Sequence, residues 1–140
     1  MARRPHEPRW LNRIVIDSIH DSQIREHGGL TGIRDENVLE SALARPKNKW
    51  SYGHEIDLAT LAGAYAFGFI TNHPYNDGNK RIGFLLIVTF LGINGYDFNA
   101  DDAGVLTEIF AVAAGRISED ELADWIRKHM KRARKMETST

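Results

Sequence analysis

Two stretches of this chain, residues 57–73 and 79–94, are too apolar to lie on a protein surface. In the first, Leu58, Leu61, Ala62, Tyr65 and Phe69 share one helical face while Phe67 and Ile70 cover another. In the second, Phe84, Leu85, Leu86, Ile87, Val88, Phe90 and Leu91 leave no clear polar face. A helix that is apolar on most sides must be surrounded by other elements, so the spacing predicts a helical domain built around this central pair. Between the two stands His73-Pro74-Tyr75-Asn76-Asp77-Gly78-Asn79-Lys80-Arg81. It gathers an imidazole, a carboxylate, two amides and two cations around one glycine. Polar groups between buried helices cost free energy unless paired, so the cluster requires a purpose.

The flanking sequence reads as further helices. Leu11, Ile14, Val15, Ile19 and Ile24 predict a helix over 10–27, closed by Gly28-Gly29. A second is expected over 35–45, with Asp35 and Glu36 in its first turn and Pro46 stopping it. Residues 47–55 then read as a loop bearing Trp50 and Tyr52. Gly95 ends the fourth helix. Asn99 or Asp101 can cap a fifth over 101–114, and Ser118 with Glu121 forms a capping box for a sixth over 119–131. Tyr96-Asp97-Phe98 alternates as a strand does, but three residues are too few to assign one. The expectation is an all-α, compact bundle of about six helices, one domain over 1–140, with flexible ends at 1–9 and 132–140.

Composition narrows the function classes. The hydrophobic fraction of 42% suits one globular core, and the absence of cysteine excludes disulfides and thiolate metal sites. No apolar run follows Met1–His6, so no secretory signal is expected. The longest apolar stretch, Ile82–Ile93, falls short of the ~20 residues that span a bilayer, so no membrane partner is expected and a cytoplasmic setting is. The net charge of −1 is unevenly spread. Residues 1–13 hold four arginines against one glutamate, and 127–140 hold six basic residues against one glutamate. The body between is acidic, which argues against a non-specific nucleic-acid surface and makes the adjacent Lys80 and Arg81 conspicuous.

The nonapeptide has the parts needed to handle a phosphate. Pro74 cannot continue the third helix and leaves His73 at its mouth. Gly78-Asn79 opens the fourth helix, whose free N–H groups and positive dipole end attract anions. Lys80 and Arg81 are unfavourably placed at a helix start unless a polyphosphate sits there. Asp77 can hold a magnesium ion or cap the helix. His73 can take a proton from an incoming hydroxyl. Such a set suits phosphoryl or nucleotidyl transfer. Taken singly, each of these residues has an ordinary structural role available, since Asp-Gly-Asn is commonly a capped turn. A metal-hydrolase reading is weaker, because His73 and Asp77 offer only two ligands, and the P-loop pattern is absent.

These residues, together with His20-Asp21, Glu26-His27-Gly28-Gly29, Gly32-Ile33-Arg34-Asp35-Glu36, Leu39–Pro46 and Asn94-Gly95-Tyr96, resemble the Doc (death on curing) branch of the Fic superfamily. The resemblance covers roughly residues 10–128. It implies a Fic-fold bundle with its active-site loop between the two central helices, and the toxin half of a bacterial toxin–antitoxin pair. Fic enzymes carry Gly-Asn-Gly and transfer AMP to a protein hydroxyl. The Doc branch carries lysine in place of the second glycine, as Lys80 does here, and moves the γ-phosphate of ATP to a threonine of elongation factor Tu, which blocks translation. By position, His73 is then the base, Asp77 handles the metal or orients the base, and Asn79, Lys80 and Arg81 hold phosphates, with Asn76 and Gly78 completing the nucleotide contacts. ATP and Mg2+ are the implied cofactors. A small antitoxin and the elongation factor are the implied partners, with nucleic acid reached only through the antitoxin. AMP transfer and a decayed module that only binds antitoxin are the alternatives.

Two positions depart from the branch. Tyr75 stands where Phe is usual, so its buried hydroxyl needs a partner. Ile82-Gly83 stands where Thr-Ala is common, which removes one hydroxyl expected near the phosphates. Elsewhere, Lys47–Tyr52 resembles the segment that forms a target-docking flap, with Trp50 and Tyr52 gripping an extended peptide by edge pairing, or else it is a plain loop with two aromatics on the core. His20 and His27 read as packing or capping residues. The basic run from Arg127 to Lys135 can meet an acidic partner or nucleic acid, or simply be solvated.

Overall fold

The computed structural model describes residues 7–134. In chain order these form α1 (Arg13–His27), α2 (Glu36–Tyr52), α3 (Leu58–Asn72), α4 (Asn79–Ile93), β1 (Tyr96–Phe98), α5 (Asp102–Ala113), α6 (Glu119–His129) and β2 (Met130–Arg132). The expected helical bundle with a central pair is what forms. On α3, Leu61, Ala62, Tyr65, Ala66, Phe69 and Ile70 are fully buried, and on α4 so are Ile82, Leu86, Ile87, Phe90 and Leu91. The two helices approach closely because α4 carries Gly83: a Cβ there would stand 2.5 Å from Cγ1 of Ile70.

Side chains cap five of the helices. Asn12, Asp35, Asp57, Asp101 and Ser118 each accept from a backbone N–H in the first turn that follows, and Ser118 does so within the capping box expected with Glu121. Of the two candidates for α5, Asp101 makes the cap, through the N–H of Gly104 at 2.6 Å. Only α4, which starts after Gly78, has no side-chain cap.

Several expectations fail. Pro46 does not stop α2, which runs on to Tyr52 with the proline buried inside it. An internal proline deprives one carbonyl of its donor and costs about 3 kcal/mol. Tertiary contacts offset that cost: Arg45 and Lys49 converge on Glu119 of α6 (Lys49 at 2.8 Å), and Trp50 packs edge-on against Trp10 with centroids 6.5 Å apart. Lys47–Tyr52 is therefore neither a flap nor a loop. Its backbone is spent within the helix and has no free edge for a peptide, while Tyr52 is 88% exposed.

The remaining departures concern a strand pairing and the chain ends. Tyr96–Phe98 is a strand after all, paired antiparallel with Met130–Arg132. The chain thus stays ordered past Lys131, where fraying was expected, and the Ala133 N–H donates to the Gly95 carbonyl at 2.9 Å. At the other end, Arg9 and Asn94 exchange hydrogen bonds of 2.8 and 3.0 Å, so the chain is held from at least this point. The rest of the expected flexible ends, 1–6 and 135–140, lies outside the described residues. Arg127, counted with the basic tail, is committed to Asp57 and Asp124.

Candidate active site

The nonapeptide leaves α3 through His73, whose backbone is left-handed (φ 51°, ψ 61°). That conformation is strained for any residue with a Cβ, and strain of this kind concentrates at functional sites. Arg34 fixes it. Its guanidinium donates through Nε to the His73 carbonyl at 2.5 Å and through a terminal nitrogen to the Asn72 carbonyl at 2.7 Å, which satisfies the open carbonyls at the end of α3. The segment around Arg34 then pairs with the nonapeptide. The Pro74 carbonyl accepts from Arg34 N–H (2.8 Å) and Asp35 N–H (3.2 Å), and Asn76 N–H donates to Gly32 (3.0 Å). The Asn76 side chain donates to the Thr31 carbonyl at 2.9 Å.

Beneath the loop lies α1. Tyr75 is buried and donates its hydroxyl to Asp17 at 2.6 Å, the partner its position required. Arg13 holds Asp17 in turn at 2.7 Å and reaches Glu36 and Glu40 of α2. His20 is 5% exposed and lies flat on the Tyr75 ring, 3.7 Å between centroids. Its Nε2 donates to the Asp77 carbonyl at 2.7 Å. Asp17 and His20 are three positions apart, and so share the helix face that meets the loop.

The loop ends at Gly78, whose left-handed backbone (φ 77°, ψ 15°) turns the chain into α4. The first backbone bond of α4 runs from Ile82 N–H to the Gly78 carbonyl, 2.9 Å. Among the described residues nothing accepts from the N–H groups of Asn79, Lys80 and Arg81. The same three residues, with Asp77 and Gly78, line one side of a cavity of about 360 Å³. Phe84, Val105, Leu106, Ile109 and Phe110 form its apolar wall. The Lys80 ammonium rests over the Phe110 ring, 5.5 Å from its centroid.

Asp77 is the one carboxylate in that lining. Its oxygens accept from Leu30 N–H (3.2 Å) and Gly78 N–H (2.9 Å). These two amides, and then the nearby Arg81, hold its carboxyl below the usual range, so it is ionised at neutral pH. A carboxylate oxygen that accepts one N–H keeps further acceptor capacity, so Asp77 can still meet a cation.

The site residues read from the sequence thus divide. Asp77, Gly78, Lys80 and Arg81 converge on the cavity. His73 stands outside its lining, exposed at the end of α3. The Asn76 side chain is occupied with Thr31, and the Asn79 side chain is turned inward, bonded both ways to the Tyr75 backbone at 3.0 and 2.9 Å. The Asn79 side chain is thus committed to the loop backbone, and Asn76 is not among the residues that line the cavity. Ile82 is fully buried, so the hydroxyl missing at that position would not have faced the cavity. Arg34, Asp17 and His20 were not read as site residues, and their partners lie 38 to 58 residues away in the chain, beyond any local pattern.

A family model described as the Fic/DOC family matches residues 10–91. The chain is 30% identical to "Protein kinase doc" of Escherichia phage P1 over 121 residues, which cover 86% of this chain and 94% of that protein. It is 38% identical to "Toxin Doc" of Mycolicibacterium smegmatis over 76 residues, 53% of this chain and 58% of the relative. The chain belongs to the Fic/DOC family, in its Doc branch. Among the described residues no helix is long and apolar enough to cross a membrane.

Proposed function

We propose that the protein is a toxin of the Doc type: an ATP-dependent kinase that moves the γ-phosphate to a threonine of elongation factor Tu and is neutralised by a small antitoxin. The observation that carries the kinase reading is Lys80. It occupies the second position of α4, where AMP-transferring relatives have glycine, at the edge of an uncapped helix start. A long cation there disfavours the usual seat of an α-phosphate and suits a nucleotide bound in the reverse sense. The kinase name of the phage relative supports the same reading. The toxin name of the other supports an antitoxin partner. A target in the translation machinery implies a cytoplasmic site of action.

The donor set fits magnesium and a nucleotide. No group of three or more metal-type side chains occurs among the described residues, so a divalent cation would take Asp77 as its one protein carboxylate and fill its shell with phosphate oxygens and water. Such an ion would neutralise charge on the phosphates. The N–H groups of Asn79, Lys80 and Arg81, with the two side-chain cations, hold the phosphate oxygens. His73, free at the end of α3, takes the proton of the incoming hydroxyl. The hydroxyl oxygen bonds to the γ-phosphorus, the bond to the β-phosphate oxygen breaks, and ADP leaves.

Purified protein incubated with elongation factor Tu, magnesium and ATP labelled at either phosphorus tests this. Label is expected to enter from the γ position alone. Entry from the α position would establish AMP transfer instead. No transfer from either, with no growth arrest on induction, would leave a module that only binds antitoxin.

A further inference from the structure

We propose that His20 is the positioning residue that keeps the start of α4 open to phosphate, an inference that rests on the phosphate-handling reading above. An α-helix grows toward its N-terminus by adding bonds from N–H(i) to C=O(i−4). The next such bond in α4 would join Arg81 N–H to the Asp77 carbonyl, one step ahead of the Ile82–Gly78 bond that forms. The Asp77 carbonyl accepts from His20 instead, at 2.7 Å. A carbonyl can only accept, so Nε2 carries the proton, and it does so both in one neutral tautomer and in the imidazolium.

The imidazole is itself held. It is buried, and stacks on Tyr75 with the ring planes 5° apart, while Tyr75 is tied to Asp17. It also lies directly under the glycine that starts the helix, for a Cβ at Gly78 would stand 3.6 Å from Nε2. His20 therefore turns the Asp77 peptide toward α1 and away from α4, and Arg81 N–H is left for an anion. His20 touches no phosphate; it acts through the Asp77 peptide. Without its donor nothing fastens the Asp77 carbonyl, and a turn of Gly78 from its left-handed backbone into the helical region, which glycine permits, brings that carbonyl onto Arg81 N–H and closes one of the three open amides.

Two variants separate the donor from the ring. His20→Phe keeps a flat ring on Tyr75 and loses the N–H; His20→Gln keeps an N–H donor and loses the ring. In the unliganded protein, amide hydrogen exchange at Arg81 is expected to be fast in wild type and His20→Gln and slowed in His20→Phe. Titration with inorganic tripolyphosphate, followed at the amides of residues 79–81, is expected to show about tenfold weaker binding for His20→Phe and near-wild-type binding for His20→Gln. With ATP, KM should rise for His20→Phe while kcat holds.

A folded His20→Phe with wild-type Arg81 exchange and wild-type tripolyphosphate affinity overturns the proposal. So does a folded His20→Gln that has lost that affinity, which also decides the matter if the Phe variant fails to fold. If the wild-type protein itself ignores tripolyphosphate and ATP, the phosphate-handling reading falls, while Arg81 exchange still reports whether His20 holds the Asp77 peptide.

Discussion

Tyr75 and Asp17 are joined by a 2.6 Å hydrogen bond from phenol to carboxylate, although 58 residues separate them in the chain. It ties the loop after α3 to the first helix. Burial, and then the Asp17 charge, push the phenol far above its ordinary range, so it remains a donor at any working pH. Tyr75→Phe should lower stability by about 1–2 kcal/mol, because Asp17 keeps its bond to Arg13 and is not left unpaired. Urea denaturation checks this, and an unchanged midpoint would mean the bond does not persist in solution.

At His73 the interests of folding and chemistry diverge. His73→Ala should cost ~10²–10⁴ in phosphoryl transfer, the usual worth of a general base, with little change in melting temperature because the side chain is exposed. His73→Gly should be equally inactive yet more stable than the alanine variant by roughly 1 kcal/mol, since glycine accepts a φ of +51° without a Cβ clash. Equal denaturation midpoints for the two variants would show that the left-handed backbone is not held. A large drop in melting temperature for His73→Ala would make the residue structural.

Asp57 caps α3 and binds Arg127 of α6 at 2.7 Å. Burial raises its pKa, but the hydrogen bonds from Arg127 and Thr60 outweigh this and lower it from 3.8 to about 2. A carboxylate whose folded pKa is depressed stabilises the fold above its unfolded pKa, and that contribution is lost as pH falls through the folded value. Stability should therefore fall between about pH 4 and pH 2, by a modest amount because the pair is half exposed. Asp57→Asn keeps a good cap and loses the charge. Its melting temperature should sit below wild type at pH 7 and fall less over that acid window; parallel curves for the two proteins would refute the ion-pair assignment.

Gly83 sets how near α4 lies to α3. Gly83→Ala should destabilise by about 1–3 kcal/mol through overpacking against Ile70. Adding Ile70→Val, which removes one methyl from that contact, should recover part of the loss. A double-mutant cycle measures the recovery. Strict additivity of the two substitutions would show that the residues do not press on each other.

Much of this arrangement was legible in the sequence because it is local. The buried faces of α3 and α4, the Ser118–Glu121 capping box and the break at His73-Pro74 follow from spacing and from what proline and glycine allow. Pro46 misled because its local rule was right but outweighed: Trp50 on Trp10 and the ion pairs to Glu119 reward a helix that continues. The β1–β2 pairing was missed because neither three-residue strand carries a signal without the other. In the candidate site, the glycine-led start of α4 and its two cations were readable, whereas the option that Asp77 caps the helix was not taken up, since its carboxylate accepts from Leu30 and Gly78 N–H instead. That the Asn79 amide turns inward and that His20 supports the loop were not readable, since each depends on which groups tertiary folding brings within reach.

The β1–β2 ribbon has a practical consequence when set beside the Arg9–Asn94 pair. Both ends of the described chain are fastened at the Asn94–Gly95 corner, just beyond the last turn of α4. The nonapeptide lies at the first turn of the same fifteen-residue helix, about 22 Å away. A fluorescent label attached at Arg9 or at Ala133 would therefore stand well away from the cavity. A circular permutant whose linker joins Arg9 to Ala133 would likewise leave the nonapeptide at a distance from the new seam.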